Sequence, residues 1–175
     1  MSQYRKVFLI GMMATGKSTI GKILSNDINF KYIDTDTEIG ASTFINDNSI
    51  TQFRNKENEE IQRIEHLNNN YIISTGGGVI DKQENIFLLR KYFCIHLKAN
   101  INTIVSRIKK DNKDRPLVKL DSNNEIDIKE LNKLYNTRIK AYDELSSFSI
   151  ETDIYSKNQI VEIIKKKLFE NEFIN

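Results

Sequence analysis

The stretch GMMATGKST, residues 11–19, carries the clearest chemical signal in the chain. It fits the pattern G-x-x-x-x-G-K-[ST], in which a glycine-rich turn points backbone N–H groups at phosphate oxygens and the following helix adds its positive end. Lys17 can reach the β- and γ-phosphates of a nucleotide, and the Ser18 hydroxyl is placed to bind Mg²⁺. Gly16 allows a close backbone approach that a Cβ would obstruct. We therefore predict a nucleotide-binding loop.

Two aspartates alternate in the stretch YIDTDTEI, after the next apolar run. Near a site for Mg²⁺ and phosphate, one carboxylate such as Asp34 can hold metal-bound water. A second, Asp36, can face an acceptor hydroxyl and orient or deprotonate it. The alternative is that Asp36 is the N-cap of a helix beginning at Thr37. The position after a phosphate loop favours the functional interpretation.

Three consecutive glycines, Gly76 to Gly78, follow the third apolar run, YIIS. Such a triplet is costly in conformational entropy, and it is expected where a ligand lies against the backbone. A flexible turn without a ligand is the alternative.

Three arginines are candidates for anion binding. Arg54 lies near the start of a charged helix, where the local signal is weak. Arg115 precedes the only proline, in the polar and poorly periodic segment 109–120, which is typical of a mobile loop that closes over a nucleotide and excludes water. Arg138 and Tyr142 lie one helical turn apart. Arg138 is either an exposed helix residue or a fork for a substrate carboxylate.

The elements that must position these residues are short apolar runs alternating with helical segments. The strand-like runs cover residues 6–10, 31–33, 71–74, 93–97 and 148–151. Nearly continuous apolar strands predict an α/β fold with a parallel sheet covered on both faces. Ligands bind beyond the carboxyl ends of such strands. The phosphate loop, the aspartate pair and the glycine triplet each follow a strand, so all three should open onto one crevice.

Length and composition exclude several other classes. A chain of 175 residues fits one domain. A net charge of +2 is too mild to indicate nucleic acid or a membrane as the main partner. Cys94 is the only cysteine, which excludes an intrachain disulfide and a cysteine-rich metal site. No segment approaches the roughly 20 apolar residues of a membrane span, and no secretory signal is evident, so we expect a cytoplasmic location.

The ordered set GMMATGKST, DTD, FRNKE, TGGG, RPL and the late R-x-x-x-Y resembles the shikimate kinase family over nearly the whole chain. The resemblance implies a P-loop, nucleoside-monophosphate-kinase-like fold, a three-layer αβα sandwich with a five-stranded parallel sheet. It also implies a single kinase domain over residues 1–175, with a substrate-binding subdomain at about 35–68 and a lid at about 109–124. The implied reaction is transfer of the γ-phosphate of ATP to the 3-hydroxyl of shikimate, on the route to chorismate and the aromatic amino acids. Mg²⁺ would be the cofactor, and the protein would be a monomer.

The same resemblance implies a role for each site residue. The implied catalytic residues are Lys17, Asp36 and Arg115. The implied ATP-binding residues are Ala14, Thr15, Gly16, Lys17, Ser18, Thr19, Arg115 and Tyr155. The implied shikimate-binding residues are Asp36, Arg54, Gly76, Gly77, Gly78 and Arg138. The implied metal-binding residues are Ser18 and Asp34.

Several departures from the family pattern are visible. Ala14 stands where the family usually has glycine, and the segment between Asp36 and Arg54 is shorter than usual. On the adenine side, Lys109 and Lys110 occupy a region where the family often has arginine, and the turn near Tyr155 is expected to meet the base.

Two other functions remain open at this point. One is another small P-loop kinase, of gluconate or nucleotide type, and the other is a non-catalytic module that senses ATP. The aspartate pair, the glycine triplet and two candidate carboxylate forks suit a small hydroxylated acid better than a nucleotide acceptor. A sensor would not need all of the retained polar side chains. These side chains are Lys17, Ser18, Asp34, Asp36, Arg54, Arg115 and Arg138.

Overall fold

The computed structural model describes residues 4–111 and 117–174. Arg115 and the middle of the predicted lid lie outside the described residues. The described chain builds a five-stranded sheet in which every pairing is parallel, with the strand order β2-β3-β1-β4-β5. The strands are β1 (Lys6–Ile10), β2 (Lys31–Asp34), β3 (Tyr71–Ser74), β4 (Phe93–Lys98) and β5 (Phe148–Glu151). All five strand predictions are confirmed.

The helices of the described residues connect successive strands, except α8, which follows the last strand. They are α1 (Lys17–Asp27), α2 (Thr35–Ile39), α3 (Ala41–Asp47), α4 (Ile50–Glu65), α5 (Gln83–Leu89), α6 (Ile101–Lys110), α7 (Ile128–Leu145) and α8 (Lys157–Glu170). A 3₁₀ turn, Val79–Asp81, precedes α5. Capping boxes at Ser49 and Ser156 begin α4 and α8, because each serine and the glutamine three residues on satisfy one another's backbone N–H groups. Within the described ranges, no helix is long and apolar enough to cross a membrane.

Two apolar clusters cover the two faces of the sheet and make the fold a three-layer sandwich. All five residues of β1 are buried, and their side chains alternate between the faces. Val7 and Leu9 pack with residues of α1 and α8, such as Leu24 and Ile164. Phe8 and Ile10 pack in the other cluster, with residues of α4 to α7. Burial on both faces explains why the strands are apolar throughout, and it confirms the predicted α/β class.

Candidate active site

One cavity of about 950 Å³ opens at the carboxyl ends of the strands, and it collects the predicted site residues. The loops after β1, β2 and β3 form its floor, and residues of α6, α7 and the β5–α8 connection contribute to its wall. The predicted residues that line it are Ala14, Thr15, Gly16, Lys17, Ser18, Thr19, Asp34, Asp36, Arg54, Gly76, Gly77, Gly78, Arg138 and Tyr155. The prediction of a single crevice is therefore confirmed, with Arg115 outside the described residues.

The phosphate loop runs from the end of β1 to the start of α1. Gly11 and Gly16 have φ angles of +134° and +97°, and a Cβ at Gly11 would lie 2.5 Å from the carbonyl oxygen of Leu97. The Lys17 ammonium is buried and donates hydrogen bonds to the carbonyl oxygens of Gly11, at 2.8 Å, and Met12, at 2.7 Å. Bound phosphate oxygens are stronger acceptors, because they carry charge. The loop carbonyls therefore hold the lysine close to the place where a phosphate would bind.

Ala14 adopts a left-handed backbone conformation, with φ of +60°. That conformation costs an L-residue with a Cβ roughly 1–2 kcal/mol, and it costs glycine almost nothing. The structure thus gives a physical reason for a glycine at this position. The alanine keeps the conformation of the loop but carries strain.

Asp34 ends β2 and is the N-cap of α2, since its carboxylate accepts a hydrogen bond from the backbone N–H of Thr37 at 3.4 Å. The alternative in which Asp36 caps this helix is therefore wrong. Asp36 lies in the first turn of α2 and lines the cavity. The Tyr32 hydroxyl lies 3.1 Å from the Asp34 carboxylate and 3.3 Å from the Ser18 carbonyl oxygen. This phenol keeps Asp34 beside the start of α1.

The glycine triplet makes room for charged side chains. A Cβ on Gly76 would lie 2.5 Å from Glu57 Oε1 and 2.7 Å from Asp36 Oδ1. A Cβ on Gly78 would lie 2.0 Å from Arg54 Nη2. Side chains of the site itself thus require glycine at two of the three positions, which is a reason that the sequence did not reveal.

Arg54 and Arg138 meet at one carboxylate. Both arginines are buried, with exposed fractions of 9% and 7%, so Arg138 is not an exposed helix residue. Arg138 donates to Asp81 through Nε, at 3.1 Å, and Nη2, at 2.5 Å. Arg54 Nη2 lies 2.8 Å from Asp81, and Arg54 Nη1 donates to Glu57 Oε2 at 3.0 Å. Two guanidinium groups from distant parts of the chain form one fork.

Glu57 is a buried acid that the sequence reasoning did not single out. Its side chain has an exposed fraction of 0%, and within the described part of the chain Oε1 has no hydrogen-bond partner. Burial raises the pKa of Glu57 to about 7; the Arg54 charge opposes this increase, and the negative charge of Asp36 adds to it. The final glutamate of the FRNKE motif was the available signal.

Arg107 was also missed, and it joins the phosphate loop to the β5–α8 connection. Its guanidinium donates to the Ala14 carbonyl oxygen at 3.1 Å and to Thr152 Oγ1 at 2.9 Å, and it also bonds the Thr152 carbonyl oxygen. Lys109 and Lys110, the expected basic positions, are exposed near the end of α6. Arg107 is the first basic residue of the same last turn, and it lines the cavity.

A phosphate loop and an arginine fork thus share one cavity at the carboxyl edge of a parallel α/β sheet, which defines a small P-loop phosphotransferase. The family model for shikimate kinase (SKI) matches residues 13–169. The shikimate kinase of Caldicellulosiruptor saccharolyticus is 36% identical over 91% of this chain and 93% of its own length. That of Psychromonas ingrahamii is 32% identical over 87% of this chain and 90% of its own. The chain belongs to the shikimate kinase family.

Solved structures agree at the level of the fold. Shikimate kinase from Acinetobacter baumannii in complex with shikimate is similar with a TM-score of 0.85 and 22% identity, covering 97% of this chain and 95% of that one. A gluconokinase from Sinorhizobium meliloti is similar with a TM-score of 0.63 and 11% identity, covering 97% and 95%. Both likenesses concern the α/β kinase fold.

Proposed function

We propose that this protein transfers the γ-phosphate of ATP to the 3-hydroxyl of shikimate. The observation that carries the proposal is the pairing, within one cavity, of the phosphate loop with the fork formed by Arg54 and Arg138. A kinase for a small hydroxylated acid needs a phosphate site at one end and a carboxylate site at the other. Family membership and the names of the relatives support shikimate as that acid.

At the phosphate end, the loop amides and Lys17 would bind the transferring group. Bound Mg²⁺ would neutralise charge on the β- and γ-phosphates. Ser18 and Asp34 fit such an ion, because Mg²⁺ in kinases is held by one or two protein oxygens together with water and phosphate. Among the described residues there is no cluster of three or more His, Cys, Asp or Glu side chains that could hold a metal.

At the acceptor end, Asp36 would accept the proton of the 3-hydroxyl as that oxygen bonds the γ-phosphorus and ADP leaves. Arg54 and Arg138 would bind the substrate carboxylate, and the backbone of residues 76–78 would line the substrate. Arg115 would close from the lid onto the phosphates.

We extend the proposal to the adenine side, the substrate-binding subdomain and the lid. Tyr155 and Arg107, which both line the cavity, would form its adenine side. Residues 35–68 would act as the substrate-binding subdomain and residues 109–124 as the lid. The monomeric state, the cytoplasmic location and the place in aromatic amino acid synthesis stay predictions from the family.

A coupled assay of ADP release tests the proposal against its rivals. ATP is supplied with shikimate, gluconate or nucleoside monophosphates in turn, and we expect release with shikimate. Release with gluconate or a nucleotide instead would identify another small kinase. ATP binding without release above background for any acceptor would favour a sensing module.

The role of Asp36 is tested by substitution. Asp36→Asn should retain ATP binding and lose turnover by about 10²–10⁴-fold, the usual contribution of a positioned acid or base. Asp47→Asn is the matched control, because Asp47 is exposed at the end of α3 and does not line the cavity. Normal turnover in Asp36→Asn would remove the proposed base.

A further inference from the structure

Asp81 is the point at which the two arginines of the fork are joined. It ends the 3₁₀ turn that follows the glycine triplet, and its backbone N–H donates to the Gly78 carbonyl oxygen at 2.8 Å. Its carboxylate receives three donors, two from Arg138 and one from Arg54. One acid thus holds two cations that would otherwise repel each other.

Asp81 bonds the fork without lining the cavity, and its side chain is 32% exposed. Arg54 and Arg138 line the cavity, whereas Asp81 is not among its lining residues. The Asp81 carboxylate accepts hydrogen bonds from Nε and Nη2, which form one edge of the Arg138 guanidinium. The planar guanidinium has a second edge, Nη1–Nη2, which can bind another carboxylate in the same bidentate way.

The same short segment is tied to α7 at a second point. The Tyr142 hydroxyl, one helical turn after Arg138, donates to the Gly77 carbonyl oxygen. Arg54 packs against the Cα of Gly78 on the same segment. The backbone of the segment that carries Asp81 is therefore held by hydrogen bonds, and the Asp81 carboxylate in turn orients both guanidinium groups.

We propose that Asp81 is a positioning residue that sets the affinity of this enzyme for the carboxylate of its acceptor. It holds Arg54 and Arg138 together at the wall of the cavity, so that a monoanionic acid binds a preorganised pair of cations. The inference rests on the proposed function, since it deals with the acceptor end of that site. Residues that orient binding groups from behind commonly change affinity by about 10–100-fold when they are replaced.

The test compares Asp81→Asn with Asp81→Glu in steady-state kinetics, with shikimate and ATP varied separately. We expect Asp81→Asn to raise the KM for shikimate about tenfold with kcat within about twofold, because binding common to ground state and transition state is lost. The KM for ATP should not change. Asp81→Glu keeps the charge, so its KM for shikimate should be within about threefold of wild type.

A structural defect is separated by a control and by a second ligand. Glu60→Gln removes a comparable pair, since Glu60 accepts from Arg63 Nε at 2.8 Å and Nη2 at 2.7 Å, and neither residue lines the cavity. This variant should keep the wild-type KM for shikimate. Calorimetric binding of the carboxamide of shikimate, which lacks the charge, should be equal in wild type and Asp81→Asn.

Several results would overturn the inference. One is a KM for shikimate in Asp81→Asn that stays within twofold of wild type, and another is Asp81→Glu behaving like Asp81→Asn. A lower KM would mean that Asp81 competes with the substrate, and an equal loss of carboxamide binding would mean a general defect. If the wild-type protein neither binds nor phosphorylates shikimate, the proposed function fails and this inference falls with it. If it does both and only the Asp81 variants disagree, the inference fails alone.

Discussion

Glu57 and His96 should give the folded protein two opposite pH dependences that nearly cancel. Burial raises the pKa of Glu57 from 4.5 to about 7. Burial lowers the pKa of His96 from 6.5 to about 4, although its Nδ1 lies 2.9 Å from the Asp143 carboxylate, which acts in the opposite direction. The charges of Lys98 and Lys17 add to the decrease. Each fold environment thus favours the neutral form of the side chain.

The magnitude follows from proton linkage. Between pH 4.5 and 6.5, Glu57 binds a proton in the folded state that it loses in the unfolded state, so its contribution to stability falls by about 1.4 kcal/mol per pH unit. In the same window His96 binds a proton only when unfolded, so its contribution rises at the same rate. Over these two pH units each contribution changes by about 2 kcal/mol, because each group is only half titrated in the unfolded state at one end of the window, and the two changes nearly cancel.

Two variants separate these contributions. Urea unfolding at pH 4.5, 5.5 and 6.5 should give a nearly flat free energy of unfolding for wild type, within about 1 kcal/mol. Glu57→Gln leaves the histidine contribution, so its stability should rise by about 2–3 kcal/mol across the window. His96→Asn leaves the glutamate contribution, so its stability should fall by a similar amount. Glu59→Gln is the control on the same helix, because Glu59 is exposed and pairs with Lys56.

A Glu57→Gln profile parallel to that of wild type would refute the reasoning for the acid. It would mean that the folded protein solvates or pairs the Glu57 carboxylate as well as water does. A flat profile for His96→Asn would refute the reasoning for the histidine in the same way.

Two further predictions concern the backbone of the site. Ala14→Gly should raise the free energy of unfolding by about 1 kcal/mol in urea titrations, because it relieves a positive φ. The same change inside α7, Ala141→Gly, should lower it by about 1 kcal/mol, because glycine is a poor helix former. Equal signs for the two changes would contradict the assignment of strain to Ala14. Gly78→Ala should reduce kcat/KM for shikimate by about 100-fold or more with ATP binding retained. The backbone of Gly78, with φ of −109°, tolerates alanine, so the change acts through the new Cβ, which displaces Arg54. Turnover close to wild type would show that Arg54 can move aside without loss.

The outcomes at particular residues show how far sequence reasoning reaches. The sequence pointed to Lys17, Asp36 and Arg138 because each belongs to a short motif beside a strand or on a helix. All three line the cavity. The purpose of Gly78 was not found, since its missing Cβ makes room for Arg54 on another helix. The sequence did not indicate Glu57 or Asp81 either, because contacts with other parts of the chain reveal their roles. A carboxylate looks like a solvated surface residue until its partners are known.

The amino-acid sequence by itself determined the parallel α/β sheet, the phosphate loop and the family. These features depend on contiguous residues: apolar strands, a glycine-rich turn and the helix that starts at Lys17 are all local in the chain. Only the tertiary structure decided how the acceptor end is built. Arg54, Asp81 and Arg138 come from three separate elements, and their charges stabilise one another only because folding brings two buried guanidinium groups within hydrogen-bond distance of one partly exposed carboxylate.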